Sequence, residues 1–346
     1  MNVYIQGVGS ISPQIFSQRE KLPKFQLLKN EETQLITPEY SEFIQPNQLR
    51  RMSKVIRYGI ASAMMALKDA NVSSPDLIIV GTAYGCLHDT EQFLSKMIEN
   101  QEALLTPTSF IQSTHNTVSG QIALILSCHG HNFTYVQKAH SFEYALDEAM
   151  MWLAENPNLN ILCGGLDEKT KHSHQIISRF GTYKKQEESI IEQTEGTTAG
   201  EGSNFFLLSS VANENSYAKL SDVYMCYTDD IQNELLSFLS KNKINVDEID
   251  VCLLGVNGDI RYDEKVSQNI FALKHSIRIP FKYWVGEYPT VSAYAVSLAS
   301  NILYQSKTQN HFSFQGVQYE KENVQNVLIY NHYKNQYHSF ILLEKV

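Results

Sequence analysis

Residues 130–152 read GHNFTYVQKAHSFEYALDEAMMW, and the reading of this stretch decides the fold. Residues 133–136, Phe-Thr-Tyr-Val, are aromatic and β-branched, which predicts a short buried strand. The chain then turns through Gln137, Lys138, Ala139 and His140. Beyond the turn, apolar side chains fall at Phe142, Ala145, Leu146, Ala149 and Leu153, the three-to-four spacing of an amphipathic helix. A strand that runs straight into a helix holds its turn at the helix N-terminus. Unpaired amides and the positive end of the macrodipole stabilise an anion there, so a cysteine in such a turn is a better nucleophile.

Working outward, strands alternate with helices. Residues 3–9 predict a strand ending in glycines, and 10–46, with Pro13, Pro23 and Pro38, a polar surface excursion. The spacing of Leu49, Met52, Ile56, Ile60, Ala63, Leu67 and Ala70 predicts one helix over 47–72, with Arg50, Arg51, Lys54 and Arg57 on its first turns. Strands are expected at 77–82, 160–165 and 204–209, helices from about 89 and over 121–128, and a polar surface loop over 184–198. Near 213 the pattern restarts with strands around 223, 251–255, 327–330 and 339–343 and helices over 230–241, 263–274 and 291–304. This alternation argues for α/β layering.

Several of these segments carry one resemblance. Residues 130–152 are similar to the nucleophile turn of β-ketoacyl synthases, a Gly-Pro-Asn-Tyr-like strand, then Thr-Ala-Cys, then a helix of small residues. Aligned without a gap, Gly130 and Asn132 match, Ala145 and Ala149 take small positions, and the family's cysteine falls on Ala139. Residues 49–72 (LRRMSKVIRYGIASAMMALKDANV) resemble the arginine-rich first long helix, 160–168 (NILCGGLDE) the Ala-Gly-Gly-(Ala/Thr)-Glu strand, and 199–202 (AGEG) the Gly-Glu-Gly-Ala turn. The resemblance implies the thiolase-like fold, an α-β-α-β-α arrangement of duplicated halves, 1–212 and 213–346, in one unit.

Composition is compatible with this. The 346 residues are 43% hydrophobic and 19% charged, ordinary for a globular protein. A net charge of −9 argues against nucleic acid as partner. Five scattered cysteines without a CxxC pair indicate a reduced, cytoplasmic protein with neither a disulfide framework nor a metal site. No signal peptide and no membrane span are expected, and no cofactor is implied.

A decarboxylating ketosynthase needs a thiolate to take the acyl chain and two neutral imidazoles to hydrogen-bond the thioester oxygen as the enolate forms. The family's first histidine stands in a strand-ending His-Gly-Thr turn. Residues 253–259 (LLGVNGD) match that turn, with Asn257 in place of the histidine and Gly258 kept. The second follows a lysine as Lys-x-x-x-Gly-His. Residues 282–287 (KYWVGE) keep Lys282 and Gly286 and replace the histidine by Glu287, whose carboxylate would repel an enolate. The glycine-rich C-terminal loop is reduced to 331–335 (NHYKN).

The resemblance therefore implies a ketosynthase homologue lacking its Cys-His-His set, closest to chain-length-factor-like subunits. Residues 109–124, 134–149 and 286–299 resemble the ketosynthase-like proteins of aryl-polyene and flexirubin clusters. The implied partners are an intact ketosynthase, a second copy of this chain in its absence, and acyl carrier protein docking at Arg50, Arg51, Lys54 and Arg57. Two other readings compete: an active acyltransferase using His140, Lys138, His115, Glu287 or Cys128, and a homodimeric acyl or carrier-protein binder. His115 and His140 also fit as plain core or interface histidines, and Cys128 as inert core.

Overall fold

The computed structural model describes residues 2–14, 19, 22, 26–28, 34–103, 105, 107–185, 187–313 and 319–346. In chain order the elements are β1 (Val3–Ile11), α1 (Pro46–Leu49), α2 (Lys54–Asp69), β2 (Leu77–Gly81), α3 (Leu87–Glu99), α4 (Pro107–Gln112), α5 (Thr117–Leu126), β3 (Asn132–Tyr135), α6 (Ser141–Glu155), β4 (Asn160–Asp167), α7 (Lys171–Ser178) and β5 (Gly202–Ser209). They continue with β6 (Ala218–Tyr227), α8 (Ile231–Lys241), β7 (Val251–Leu254), α9 (Ile260–Asn269), β8 (Ile277–Pro280), α10 (Lys282–Val285), α11 (Ser292–Gln309), β9 (His311–Ser313), β10 (Glu320–Glu322), β11 (Asn326–Tyr333) and β12 (Tyr337–Glu344).

Ten strands form one sheet in the order β3-β2-β4-β5-β1-β6-β12-β11-β7-β8, and β9 pairs with β10 apart from it. The order contains an internal repeat. On one side β3, β2 and β4 are parallel, while β5 runs antiparallel to both β4 and β1. On the other, β8, β7 and β11 are parallel, while β12 runs antiparallel to both β11 and β6. The antiparallel pair β1·β6 joins the two five-stranded halves.

Alternation along each strand sorts the helices into layers, because successive side chains point to opposite faces. Leu77 and Ile79 of β2, Ile161 and Cys163 of β4, and Phe206 and Leu208 of β5 face a central core with the apolar stripes of α6 and α11. Val327 and Ile329 of β11 and Ile341 and Leu343 of β12 face the same core. Their neighbours Ile78, Val80, Leu162, Phe205 and Leu207 pack outward on α2 and α5. Leu328, Tyr330, Phe340 and Leu342 do so on the other side with α8 and α9. The result is the expected α-β-α-β-α layering. α6 and α11 lie in the middle layer, which is why α11 buries fourteen of its residues on all sides.

The structure corrects several boundaries. Residues 133–136 are not a buried strand: β3 is an outer edge of the sheet, and Phe133 (37% exposed) and Val136 (45%) face outward, since an edge strand has a neighbour on one side only. The helix expected over 47–72 is broken at residues 50–53. Met52 turns into the core, Ser53 is extended, and α2 starts afresh at Lys54. Arg50 and Arg51 therefore lie in the break, not on a helix. Residues 184–198 are not simply a surface loop: Ile190, Thr197 and Thr198 are buried, and bridges run from Thr197 to Tyr183 and from Thr194 to Asp259. Within 10–46, Leu22, Leu28 and Gln14 are buried, Leu28 N–H donating to Tyr283 O and Gln14 Nε2 to Trp284 O. Pro23, Thr106 and Gln186 lie outside the described residues.

α6 is pressed against β2 where Gly81 has no side chain. A Cβ on Gly81 would lie 2.4 Å from the Ser141 carbonyl oxygen. Gly81→Ala must push back the start of α6, and we expect a loss of about 1–3 kcal/mol, the usual range for overpacking. Urea denaturation reads this directly, and an unchanged midpoint would show that the approach is not a constraint.

Candidate functional site

Parallel strands release their chain ends on one edge of a sheet, where open α/β sheets form their clefts. The ends of β4, β2 and β3 carry Asp167–Glu168, residues 82–86 and the Ala139 turn. The ends of β11, β7 and β8 carry His332, Asn257 and the residues 282–287.

The second set converges on one carboxylate. Lys282 is fully buried, and its Nζ donates to Glu287 Oε2 (2.8 Å) and to the His332 carbonyl (2.9 Å). Asn257 Nδ2 donates to the same Glu287 Oε2 at 2.7 Å. The amide is oriented by its other end, since Asn257 Oδ1 accepts the Asp259 N–H at 3.2 Å. Asp263 accepts the backbone N–H groups of Asn257 and Gly258, at 3.1 and 2.7 Å, and burial nevertheless raises its pKa. Gly258 is required here. Its φ is +84°, and a Cβ would stand 1.9 Å from the Ile190 carbonyl of the segment folded over the turn. The Glu287 backbone is held by Thr198 and Gly200.

β11 and β12 close in a turn at Tyr333–Gln336, with Lys334 and Asn335 both at positive φ (53° and 49°) and Gln336 N–H bonded to Tyr333 O. This is the I′ geometry that suits the twist of a hairpin, made here without glycine. Residues 331–335 are thus a strand end and a tight turn. The Asn335 N–H donates to His332 Nδ1 at 3.3 Å, and burial lowers the His332 pKa well below the ordinary histidine value. His338, paired with His332 across the hairpin, is lowered by burial to about 4.

Ala139 is buried in a short 3-10 turn ahead of α6. Lys138 there has φ +50°, and Ser141 clips the turn, its Oγ accepting the Gln137 N–H and donating to Lys138 O. The His140 ring is buried edge-on to Tyr337 (5.6 Å between centroids), and its Nε2 has no hydrogen-bond partner among the described residues. Tyr337 contacts Tyr333 in turn.

Asp167 and Glu168 were not singled out from the sequence. Asp167 Oδ1 accepts the Thr82 hydroxyl and the N–H groups of Ala83 and Tyr84, and its Oδ2 the Thr290 hydroxyl, at 2.8–3.0 Å. Burial, opposed by those donors, raises its pKa to about 6. Glu168 accepts the His88 N–H, and burial, with Asp89 and Glu201 nearby, raises it to about 7. Their signal in the sequence was two acids ending an apolar strand.

Two adjoining cavities of about 70 and 230 Å3 share Glu287, Phe180, Thr182, Tyr333 and Lys334. Asn257 lines the smaller, and Tyr84, Tyr183 and Glu168 line the larger. Glu168 and Lys169 also border a groove of about 690 Å3 between α2, α3 and α7, which contains Lys54 and Arg57. Ala139 lines none of the three. Of the basic residues, Arg50 and Arg51 are exposed, Lys54 pairs with buried Glu201, and Arg57 Nε donates to Met52 O. His115 is exposed and packs against Gly85. Cys128 is half-buried and packs against the core between α2 and α5; its Sγ lies 3.3 Å from the Pro75 carbonyl, at the start of β2 and so at the opposite end of the sheet from the Ala139 turn.

Residues 17–182 match the family described as "Beta-ketoacyl synthase, N-terminal domain". No curated protein matches the sequence. Among solved structures, the ishigamide ketosynthase/chain length factor superposes over 100% of this chain and 99% of its own, at 17% identity and a TM-score of 0.78. A β-ketoacyl synthase from Burkholderia phymatum STM815 does so with the same coverage, at 14% identity and 0.78. A type II polyketide acyl-carrier protein in complex with its ketosynthase bound to the hexaketide gives 14% and 0.74, again over 100% and 99%.

Breaking the buried pair exposes its strength. Glu287→Ala leaves the Lys282 ammonium buried without its carboxylate, and we expect a loss of about 3–5 kcal/mol. Lys282→Met with Glu287→Met should recover most of it, and a double-mutant cycle in urea measures the coupling. Glu168 gives a pH signature. Its folded pKa lies above its ordinary value of 4.5, so the native state holds more protons between pH 4.5 and about 7, and stability falls as pH rises through that window. Relative to Glu168→Gln, the parent should lose on the order of 3 kcal/mol from pH 4.5 to 7. His338 acts oppositely, its contribution being lost as pH falls from 6.5 to about 4.

Proposed function

We propose, on the premise that residues 17–182 are a β-ketoacyl synthase N-terminal domain and that the whole chain has the ketosynthase fold, that this protein is a non-condensing subunit of a type II polyketide or fatty-acid-type system. It acts beside an intact ketosynthase, in the manner of a chain-length factor, on aryl-polyene or flexirubin chains. The observation that carries the reading is the direction of the donors. Lys282 and Asn257 both donate to Glu287 Oε2, so neither is directed at an oxyanion, and the position aligned with the nucleophile is the methyl group of Ala139.

Partnership follows from the sheet edges. The outer edge β8 ends in Pro280 and carries Arg278, both of which discourage strand pairing. The edge β3, NFTY, has neither proline nor charge, and Phe133 is 37% exposed beside it. Phe110, Ile111 and Leu124, also exposed, belong to the α4 and α5 segments before it. We assign this edge to the dimer, with an intact ketosynthase as physiological partner and a second copy as substitute. Carrier protein would dock at Arg50, Arg51, Lys54 and Arg57, and the two halves, 1–212 and 213–346, act as one cytoplasmic unit. The order of helices and strands at the site gives no separate support to an active acyltransferase.

The test is co-expression with the candidate ketosynthase, then incubation with an acyl-carrier thioester and intact-mass analysis of both chains. We expect co-elution and an acyl adduct on the partner alone. A stoichiometric adduct on this chain, or chains that never co-elute while synthesis proceeds unchanged, would end the auxiliary-subunit reading.

A further inference from the structure

Glu287 holds two nitrogens at once, and together they form a reactive pair. Lys282 Nζ donates to Glu287 Oε2 at 2.8 Å, and Asn257 Nδ2 donates to the same oxygen at 2.7 Å. A primary amine and a side-chain amide thus share one acceptor, and the amide carbon lies a single bond beyond its nitrogen. Lys282 is fully buried, Asn257 is 5% exposed and Glu287 8%. An amine in water does not attack an amide at a useful rate, because it is protonated and the leaving nitrogen is a poor one. Fixed side by side with a proton carrier between them, the two groups meet the conditions for proximity and for general acid–base catalysis.

Each step of such a reaction has a residue in place. The nucleophile must lose a proton, and Glu287 Oε2 already accepts one from Nζ; burial favours the neutral amine and acid over two charges. The His332 carbonyl, 2.9 Å from Nζ, keeps the lysine tail at the site. The amide carbonyl must be polarised, and Asn257 Oδ1 accepts the backbone N–H of Asp259 at 3.2 Å, a fixed donor for a developing oxyanion. The leaving nitrogen must gain a proton, and Nδ2 is on the same carboxylate. The cavity of about 70 Å3 lined by Asn257 and Glu287 has room for a molecule the size of water to depart. One competing reaction, attack of the Gly258 backbone nitrogen on Asn257 to give a succinimide, is opposed because that N–H is held by Asp263 Oδ2 at 2.7 Å.

We propose that Lys282 and Asn257 join in an isopeptide bond, with Glu287 as the catalytic acid and base. Nζ gives one proton to Glu287 Oε2, and its lone pair then bonds to Asn257 Cγ as the carbonyl pair moves onto Oδ1. When that pair returns, the Cγ–Nδ2 bond breaks and Nδ2 takes the proton held by Glu287. Nζ gives up a second proton through the same carboxylate, the released ammonia takes it, and ammonium leaves. The net change turns an ammonium and a primary amide into a secondary amide and free ammonium, with no oxidant or co-reactant. The remaining N–H keeps the His332 carbonyl as its acceptor. The ion pair is the reactant state of this step. The product ties the end of β7 to the turn after β8 and so restricts the unfolded chain.

The experiment is intact-mass analysis of the whole chain, as purified and after overnight incubation at neutral pH, followed by tryptic mapping. We expect the chain to be lighter than its sequence by one ammonia. Trypsin should release residues 244–261 joined to residues 279–307, uncut after Lys282. Lys282→Met, Glu287→Gln and the double variant Lys282→Met with Glu287→Met should each keep the full sequence mass. If the variants do not fold, the branched peptide from the parent chain decides the matter. A parent of full mass, or the two peptides released separately, would overturn the proposal. So would an ammonia deficit that survives Lys282→Met, since that marks a succinimide at Asn257. A branched peptide from Glu287→Gln would remove Glu287 from its catalytic role. None of these results bears on co-elution or on where an acyl adduct forms, so the auxiliary-subunit reading fails or stands separately.

Discussion

The ammonium of Lys282 has no exposure to solvent, and the cleft is arranged around that fact. A bare ammonium in a protein interior costs several kcal/mol, so it must be met by a carboxylate and by further acceptors. Glu287 supplies the first and the His332 carbonyl the second. These residues come from the turn after β8 and the end of β11, with β7 between them. Satisfying one charge therefore fixes the spacing of three strand ends. Asn257, at the end of β7, is drawn into the same contact by its amide.

The other half of the sheet uses a carboxylate without a cation. Asp167 ends β4 in the place that His332 takes at the end of β11, and it collects four neutral donors. One of these, Thr290, precedes α11, so the hydrogen bond ties the first half of the chain to the second across the cleft. Repeated strand order has thus been given two different polar solutions. One is neutral-donor chemistry around Asp167, the other an ion pair around Lys282. A repeated backbone specifies where strand ends meet, and leaves open what chemistry they hold.

Periodic features of this design were legible in sequence. The stripe from Phe142 to Leu153 and the strand runs carry their own periods, and the elements lie where those periods put them. What escaped was set by neighbours rather than by local pattern. Phe133–Val136 has the composition of a buried strand, and only the strand order shows that it is an edge. Met52 keeps helical spacing with Leu49 and Ile56, yet it enters the core from an extended link. Asn257 and Glu287 stand 30 residues apart and are brought to one site only by the resemblance, while no local pattern in either flank announces a 2.7 Å contact. Lys282 reads as a surface residue by type, because lysine is rarely buried. Asp167 reads as a turn acid for the same reason.

The contact between Lys282, Asn257 and Glu287 also determines what any repair of the site would require. An enolate needs donors aimed into the cleft, whereas this cleft presents a carboxylate, that of Glu287. Installing a nucleophile at position 139 changes nothing in that arrangement, since Ala139 lines neither cavity. Replacing Glu287 by histidine would remove the acceptor but also the counter-charge of a fully buried lysine, and the imidazole would stand beside an ammonium. That proximity lowers an imidazole's proton affinity and draws its lone pair, not its N–H, toward the lysine. The N–H is then left on the ring's far nitrogen, which can face the cleft as a donor with Lys282 still in place. Polarity at this position is consequently set by the residue that meets Lys282, and it is an acceptor for as long as that residue is Glu287.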